Sequence, residues 1–189
     1  FQSGGQSSSF LRSHNAQTGE LVFESHYANP GSSYLEPTPY DNHIYIAGGE
    51  PLIEENNYVL LERLIKNNLK PTLLYNTNLT NIQFKDKNLV ELLSHFPSVE
   101  IIVSLDGYGE VNDYIRSGSN YDEILENMRY LKEKLPNIVL SVNSVASIMS
   151  MESLPDLVKD LISKRLVEPM HMMFGICREN LTILYLMMV

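Results

Sequence analysis

The sequence contains very little cysteine, and this scarcity excludes several classes of site. Only Cys177 is a cysteine among the 189 residues. No intrachain disulfide can form, no metal site can be built from cysteines of this chain alone, and a reducing, cytoplasmic setting is indicated. The five histidines show no paired metal-ligand spacing, so no histidine-based metal centre is predicted.

Basic residues and long hydrophobic runs are also scarce. There are 14 basic against 23 acidic residues, a formal net charge of −9. This charge argues against a nucleic acid or an anionic membrane as the main partner, and it favours a peptide or small-molecule substrate. The apolar stretch NLTILYLMMV is too short to span a bilayer. The amino terminus lacks the basic and apolar regions of a signal peptide.

The order of sequence patterns predicts one α/β domain preceded by a less regular segment. Residues 1–42 are rich in Ser, Gly, Asn and Pro, which predicts mostly loop, with one short helix at about 6–16. Within residues 43–189, apolar strand-like runs alternate with amphipathic helix patterns. The predicted strands are HIYIAG, KPTLLYNTN, VEIIVSLDG, NIVLSVNSV and PMHMMFGI.

These strands are mostly apolar, and we expect both of their faces to be buried in a parallel sheet connected by right-handed crossovers. Either a barrel or an open doubly wound sheet satisfies the pattern. In both architectures the functional residues lie at the carboxyl ends of the strands. Those ends are polar or glycine in this sequence, which indicates that polar groups converge on one rim.

The bend after the first predicted strand is the most distinctive of these ends. Gly48 and Gly49 allow close approach of a ligand to the backbone, and Pro51 fixes the exit of the chain. Glu50 lies between them as an acceptor-only carboxylate, which suits a cationic group such as an ammonium. A phosphate is disfavoured, because Glu50 would repel it and the Lys and Ser/Thr of a phosphate loop are absent.

The motifs GGEPLI, NTNLT, SLDGYGEVNDYIRSGSNYDEILENMRYL and SVNSV, in this order and spacing, resemble a radical S-adenosylmethionine (SAM) protein. The resemblance covers residues 40–165 and is closest to members with a C-terminal SPASM or twitch extension. It implies a partial (β/α)6 TIM-like barrel. It also implies that the Gly48–Pro51 corner receives the ammonium group of SAM.

The same resemblance assigns roles to the other strand ends. Ser104 and Asp106 would hydrogen-bond the ribose hydroxyls, and Arg116 would reach the methionyl carboxylate. Asn143 would lie where the fifth strand of the family approaches the cofactor. Asn78, at the second strand end, is assigned to the cofactor site as well.

The sequence departs from the family in one respect. Radical SAM enzymes bind a [4Fe-4S] cluster on a CxxxCxxC loop, and this chain contains no such motif. We therefore expect a truncated chain, with the first strand and cluster cysteines before Phe1 and any auxiliary-cluster cysteines beyond Val189. Residues 1–42 would then follow the cluster loop, residues 43–189 would form an incomplete core barrel, and one sheet edge would be unpaired.

The resemblance implies an enzyme as part of a longer protein. Reductive cleavage of SAM would give a 5′-deoxyadenosyl radical that abstracts hydrogen from a peptide or small-molecule substrate, with flavodoxin or ferredoxin as the reductant. The alternative is a non-catalytic SAM-binding or scaffold protein that has lost its cluster. Cysteines immediately upstream would favour the enzyme, and their absence would favour the alternative.

Overall fold

The structure of the protein is a computed structural model that describes residues 9–14, 21–27, 34–37, 43–47, 49–176 and 183–184, with side chains for 43–47 and 49–175. The strands are β1 Ser9–His14, β2 Leu21–Tyr27, β3 Tyr34–Pro37, β4 His43–Ala47, β5 Thr72–Thr77, β6 Gln83–Phe84, β7 Lys87–Asn88, β8 Val99–Ser104, β9 Ile138–Ala146, β10 Met172–Ile176 and β11 Ile183–Leu184. The helices are α1 Glu55–Lys66, α2 Leu89–Leu93, α3 Glu110–Ile115, α4 Tyr121–Lys134 and α5 Leu154–Ser163, with short 3-10 turns at Pro51–Ile53 and Pro169–His171.

The main sheet has the strand order β11-β10-β9-β8-β5-β4-β3. Its five central strands, β4, β5, β8, β9 and β10, are parallel, and β3 and β11 pair antiparallel at the two edges. The parallel strands follow one another across the sheet in chain order, without the reversal of a doubly wound sheet. Because right-handed crossovers in one direction put every helix on the same face, this topology is an open barrel.

The two faces of the sheet differ in burial. The face toward the helices is buried and mostly apolar, and it packs against buried side chains of α1, α2, α4 and α5. It includes Ile44, Ile46, Leu73, Tyr75, Ile101, Val103, Leu140 and Val142.

The opposite face is the interior of the open barrel. It is mostly half-buried and includes Asn76, Glu100, Ser104, Ser141 and Asn143. The expectation that both strand faces are apolar and buried is therefore wrong for this side, where polar side chains alternate with apolar ones such as Leu74, Ile102 and Val139, and no described crossover helix covers the face.

The amino-terminal segment departs from prediction. The helix expected at about 6–16 is wrong, since Ser9–His14 is a strand that pairs antiparallel with Leu21–Tyr27. The loop expected over residues 1–42 is interrupted by β1, β2 and β3. Pairing with the next strand along the chain overrides the local Gly and Ser content here, because a ladder partner satisfies the backbone groups of a segment with weak helix signals.

The edge of the parallel sheet also differs from expectation. β3 pairs with β4, from Tyr34 opposite Ala47 to Pro37 opposite Ile44, so the edge of β4 is not an open ladder.

Within the described part of the chain, no helix is long and apolar enough to cross a membrane.

The start of α4 gives a first test of the fold. Asn120 is the N-cap, and its side-chain oxygen accepts a hydrogen bond from the Glu123 backbone N–H at 3.2 Å. We expect Asn120→Ala to lower the free energy of unfolding by about 1 kcal/mol, because one N–H of the first turn loses its acceptor. Urea denaturation measures this loss. The exposed loop residue Asn137 provides the control, and an equal loss in Asn137→Ala would contradict the capping role.

Candidate functional site

The carboxyl ends of β4, β5, β8 and β9 meet at one rim of the open barrel, as parallel strands require. Each end supplies polar groups, and the groups contact one another across strands. The site is built from two clusters of hydrogen bonds, one around Glu50 and one around Asp106.

Glu50 joins the first two strand ends. It follows Gly49, whose φ of 53° lies in the left-handed region that glycine adopts without strain. One carboxylate oxygen accepts from Leu52 N–H at 3.3 Å and from the Thr77 hydroxyl, and the other accepts from Asn78 N–H at 2.7 Å. The corner after β4 is thereby tied to the end of β5, and the carboxylate is fixed in orientation.

Asn78 and Arg116 connect this corner to the next strand. The Arg116 Nη1 donates to Asn78 Oδ1 at 2.6 Å, and its Nε lies 2.9 Å from Asp106 Oδ2. The Nε–H is not aligned for a hydrogen bond, so the second contact is an ion pair. Asp106 Oδ1 accepts from the Val145 N–H at 2.7 Å, which links the end of β8 to β9.

Ser104 and Asn143 are register partners on the barrel interior. The Ser104 hydroxyl donates to Asn76 Oδ1 at 3.2 Å. Among the described side chains, the Asn143 amide has no hydrogen-bond partner, and its backbone carbonyl accepts from Leu105 N–H. Asn143 therefore presents an available donor and acceptor at the rim.

Eight of the nine residues assigned to the cofactor site from sequence lie within the described chain. Glu50, Asn78, Asp106 and Arg116 are joined in one network, whereas Ser104 and Asn143 line the adjacent interior. Gly48 and the lone Cys177 lie outside the described residues. Both Asp106 oxygens have protein partners, so its geometry supports the positioning of Arg116, and its contact with a ribose stays a prediction.

Two residues of the site were not assigned from sequence. Thr77 supplies the hydroxyl that binds Glu50, and its side chain then accepts from Leu79 N–H. Asn112 is fully buried in α3, and its Oδ1 accepts from Asp106 N–H at 3.1 Å. The helix EVNDYI gives no local signal that separates Asn112 from its polar neighbours Glu110 and Asp113, so neither its burial nor its partner could be read from the sequence.

The site can be tested against the two groups that the resemblance implies. A carboxylate has about four lone-pair sites, and three of those on Glu50 are used, which leaves one for an ammonium. The guanidinium of Arg116 suits the methionyl carboxylate, and the Asn143 amide suits the ribose hydroxyls. The residues therefore fit SAM. They do not fit a [4Fe-4S] cluster, because the sequence has one cysteine and no group of candidate metal ligands occurs among the described residues.

Two buried tyrosines near the rim predict a dependence of stability on alkaline pH. Burial and the Glu50 charge raise the pKa of Tyr58 to about 12, and burial and Asp160 raise the pKa of Tyr121. An unfolded tyrosine ionises near pH 10, so between about pH 10 and 12 the unfolded chain loses protons that the folded chain keeps. The free energy of unfolding should then fall by about 1.4 kcal/mol per pH unit for each tyrosine.

Urea denaturation at pH 9, 10 and 11 measures this slope. Tyr58→Phe should reduce it and leave the contribution of Tyr121. An unchanged slope in the Tyr58→Phe/Tyr121→Phe double variant would contradict the assignment.

Comparison with known proteins identifies the family. A family model described as the Radical SAM superfamily matches residues 34–164. A search of curated proteins finds no match. Among solved structures, Streptococcus suis SuiB bound to S-adenosylmethionine is similar with a TM-score of 0.52 and 21% identity, over 71% of this chain and 29% of that chain. Native anSMEcpe with bound AdoMet is similar with a TM-score of 0.56 and 16% identity, over 74% of this chain and 39% of that chain.

At these identities the two structures show the fold alone, and this chain spans well under half the length of each. They support the open α/β barrel with five parallel strands that the strand order gives. The family model covers more than half of the sequence and includes every assigned strand end. The chain therefore belongs to the radical SAM superfamily, whose members use SAM and a [4Fe-4S] cluster.

Proposed function

We propose that this chain forms the SAM-binding part of a radical SAM enzyme that acts on a peptide or small molecule. The observation that carries the proposal is the network from Glu50 through Asn78 and Arg116 to Asp106, which joins four strand ends around one rim. When bound, SAM would supply the 5′-deoxyadenosyl group that abstracts hydrogen from the substrate.

The residues of the network and of the adjacent interior have distinct roles in binding. Glu50 accepts a hydrogen bond from the methionyl ammonium with the lone pair that its three protein donors leave unused. Arg116, held by Asn78 and Asp106, directs its remaining guanidinium nitrogen to the methionyl carboxylate. Ser104 and Asn143 bind hydroxyl groups of the ribose from the barrel interior.

The redox centre and the reductant belong to the whole protein. With one cysteine, this chain cannot supply the three thiolates of a CxxxCxxC motif, so we propose that cluster ligands precede Phe1. Flavodoxin or ferredoxin is the proposed electron donor, and the low cysteine content supports a cytoplasmic setting.

The single cysteine also favours a second candidate, a SAM-binding or scaffold protein without a redox centre. Recovery of the flanking reading frame distinguishes the two. Three cysteines in CxxxCxxC order shortly before Phe1 would support the enzyme. Upstream sequence without them would leave the non-catalytic candidate.

SAM binding by the 189-residue chain tests the proposal directly. We expect weak but measurable binding by NMR titration, since cluster coordination of the amino acid part is absent. Glu50→Gln should weaken SAM binding about tenfold, because the ammonium loses a charged acceptor.

5′-Methylthioadenosine, which lacks the amino acid part, provides the matched ligand. Its affinity should be the same for Glu50→Gln and the unchanged chain. The exposed residue Glu91 provides the matched substitution, and Glu91→Gln should bind SAM normally. Equal weakening of both ligands by Glu50→Gln would assign Glu50 a purely structural role, and no SAM binding at all would contradict the proposal.

A further inference from the structure

Asn112 is a buried polar residue that lies in the chain between the two members of the Asp106–Arg116 ion pair. It belongs to α3 and is 0% exposed. Burial of an amide is costly unless its donors and acceptor all find partners, so the contacts of Asn112 show which parts of the chain it holds.

One contact of Asn112 fixes the backbone at Asp106. The Asn112 Oδ1 accepts a hydrogen bond from the Asp106 N–H at 3.1 Å. This N–H belongs to the residue whose carboxylate faces Arg116. The contact therefore fixes the direction in which that carboxylate leaves the end of β8.

The other contacts of Asn112 fix the backbone at Arg116, which follows the last residue of α3. The Asn112 carbonyl accepts from the Arg116 N–H at 2.8 Å. The Asn112 Nδ2 donates to the Ser119 hydroxyl at 3.1 Å, and the Ser119 N–H donates to the Arg116 carbonyl at 2.9 Å. Both backbone groups of Arg116 are thus tied to Asn112, one directly and one through Ser119.

The polarity of the surroundings matches an amide at this position. The Asn112 Oδ1 faces an N–H donor, whereas its Nδ2 also lies 3.4 Å from the carboxylate of Asp113. The Ser119 hydroxyl donates to the same Asp113 oxygen at 3.1 Å. An aspartate in place of Asn112 would oppose Asp113 with a second carboxylate, and an alanine would leave the Asp106 N–H without its acceptor.

We propose that Asn112 is a positioning residue for SAM, which holds Asp106 and Arg116 in their relative positions so that the guanidinium meets the methionyl carboxylate. This inference rests on the proposed function, since it assigns Asn112 to the same site. Asn112 then determines the affinity for the amino acid part of SAM. The nucleoside part is unaffected, because Ser104 and Asn143 are held by the ladder between β8 and β9.

Two ligands and a matched substitution test this role by NMR titration. Asn112→Ala should bind SAM about fivefold more weakly and 5′-methylthioadenosine within about twofold of the unchanged chain. Asn57 provides the control, because it is equally buried and its Oδ1 accepts from the Tyr75 hydroxyl at 2.8 Å in α1 packing. Asn57→Ala should keep the affinity for SAM. Equal losses of SAM affinity in the two variants would overturn the proposal.

Ser119→Ala is a milder variant that keeps Asn112 and its contact with Asp106. It removes only the link from the Asn112 amide to the Arg116 carbonyl side of the turn. We expect SAM to bind about threefold more weakly and 5′-methylthioadenosine to bind normally. Unchanged SAM affinity in both Ser119→Ala and Asn112→Ala would overturn the proposal.

The side-chain Nε–H signal of Arg116 separates positioning from a general loss of stability. This signal is assigned in ¹⁵N spectra by its disappearance in Arg116→Lys. Asn112→Ala and Ser119→Ala should change its chemical shift and speed its exchange with water, whereas Asn57→Ala should leave it unchanged. An unaltered signal in Asn112→Ala would overturn the positioning role.

The same measurements distinguish failure of this inference from failure of the proposed function. Normal SAM binding by Asn112→Ala, in a chain that does bind SAM, would contradict the inference alone. An altered Arg116 signal in variants of a chain that binds no SAM would support the positioning of Arg116 and contradict the proposed function.

Discussion

Replacing Asp106 with alanine is expected to lower the free energy of unfolding by about 3 kcal/mol. The Asp106 side chain is 10% exposed and its ion-pair partner Arg116 is 24% exposed, so solvent replaces the lost contact poorly. The substitution leaves a guanidinium without its counter-charge and the Val145 N–H without its acceptor. Urea denaturation at pH 7 measures the loss.

A double variant and a surface control identify the cause of this loss. Asp106→Ala/Arg116→Met should recover part of the stability, because the uncompensated cation is removed together with its partner. Asp156→Ala breaks an ion pair between exposed side chains and should change stability by less than about 0.5 kcal/mol. Equal losses in Asp106→Ala and Asp156→Ala would contradict the role assigned to burial.

Gly107→Ala is expected to cost about 2 kcal/mol through steric conflict. A Cβ at this position would lie 2.8 Å from Val111 Cγ1 and 3.0 Å from Ser153 Oγ. The Ser153 hydroxyl accepts from Tyr108 N–H, so its displacement also disturbs the turn after Asp106. We expect SAM affinity to fall with stability, since this turn positions the carboxylate that holds Arg116.

A second substitution tests the steric explanation. Gly107→Ala/Val111→Ala removes the closest atom and should recover part of the lost stability. Gly109→Ala provides the contrast, because Gly109 has open space around it but a φ of 55°. Its cost of about 2 kcal/mol comes from the backbone, because a φ of 55° with a ψ of −129° is a conformation that side chains with a Cβ rarely adopt, and Val111→Ala should not reduce it. Recovery in both backgrounds would contradict a specific clash.

From residue 43 onward the sequence predicted the five parallel strands and the helices α1, α2, α4 and α5, but it did not predict β6, β7, α3 or β11. The strand expected in VEIIVSLDG is Val99–Ser104, and the amphipathic pattern DEILENMRYLKEKL, whose expected cap is Asn120 or Asp122, forms the helix Tyr121–Lys134 with Asn120 as its cap. Both patterns are local: hydrophobic periodicity fixes the type of element, and a capping side chain fixes its start. The amino-terminal strands were missed because each is stabilised by pairing with a neighbouring strand, which a Gly- and Ser-rich composition does not reveal.

The residues of the candidate site also fall into those that a local pattern predicts and those that only the folded chain identifies. The sequence identified the polar strand ends, including Glu50 and Arg116, because polar residues after apolar runs are visible along the chain. It assigned no role to Thr77 or Asn112, whose importance depends on the acceptor or donor that each one meets. Its assignment of Asp106 to the ribose hydroxyls stays a prediction, and the folded chain adds that both carboxylate oxygens have protein partners.

By itself the sequence determined the element types, the polar rim and the mismatch between a SAM-type site and a single cysteine. Tertiary structure decided between a barrel and a doubly wound sheet, because the spatial order of strands is set by pairing and not by periodicity. It also decided which contacts form, since Glu50 and Asn78 are 28 residues apart and Asp106 and Val145 are 39 apart. The barrel interior, with Ser104 and Asn143 on it, exists only when the crossover helices all cover the other face, and this depends on long-range packing that no local pattern records.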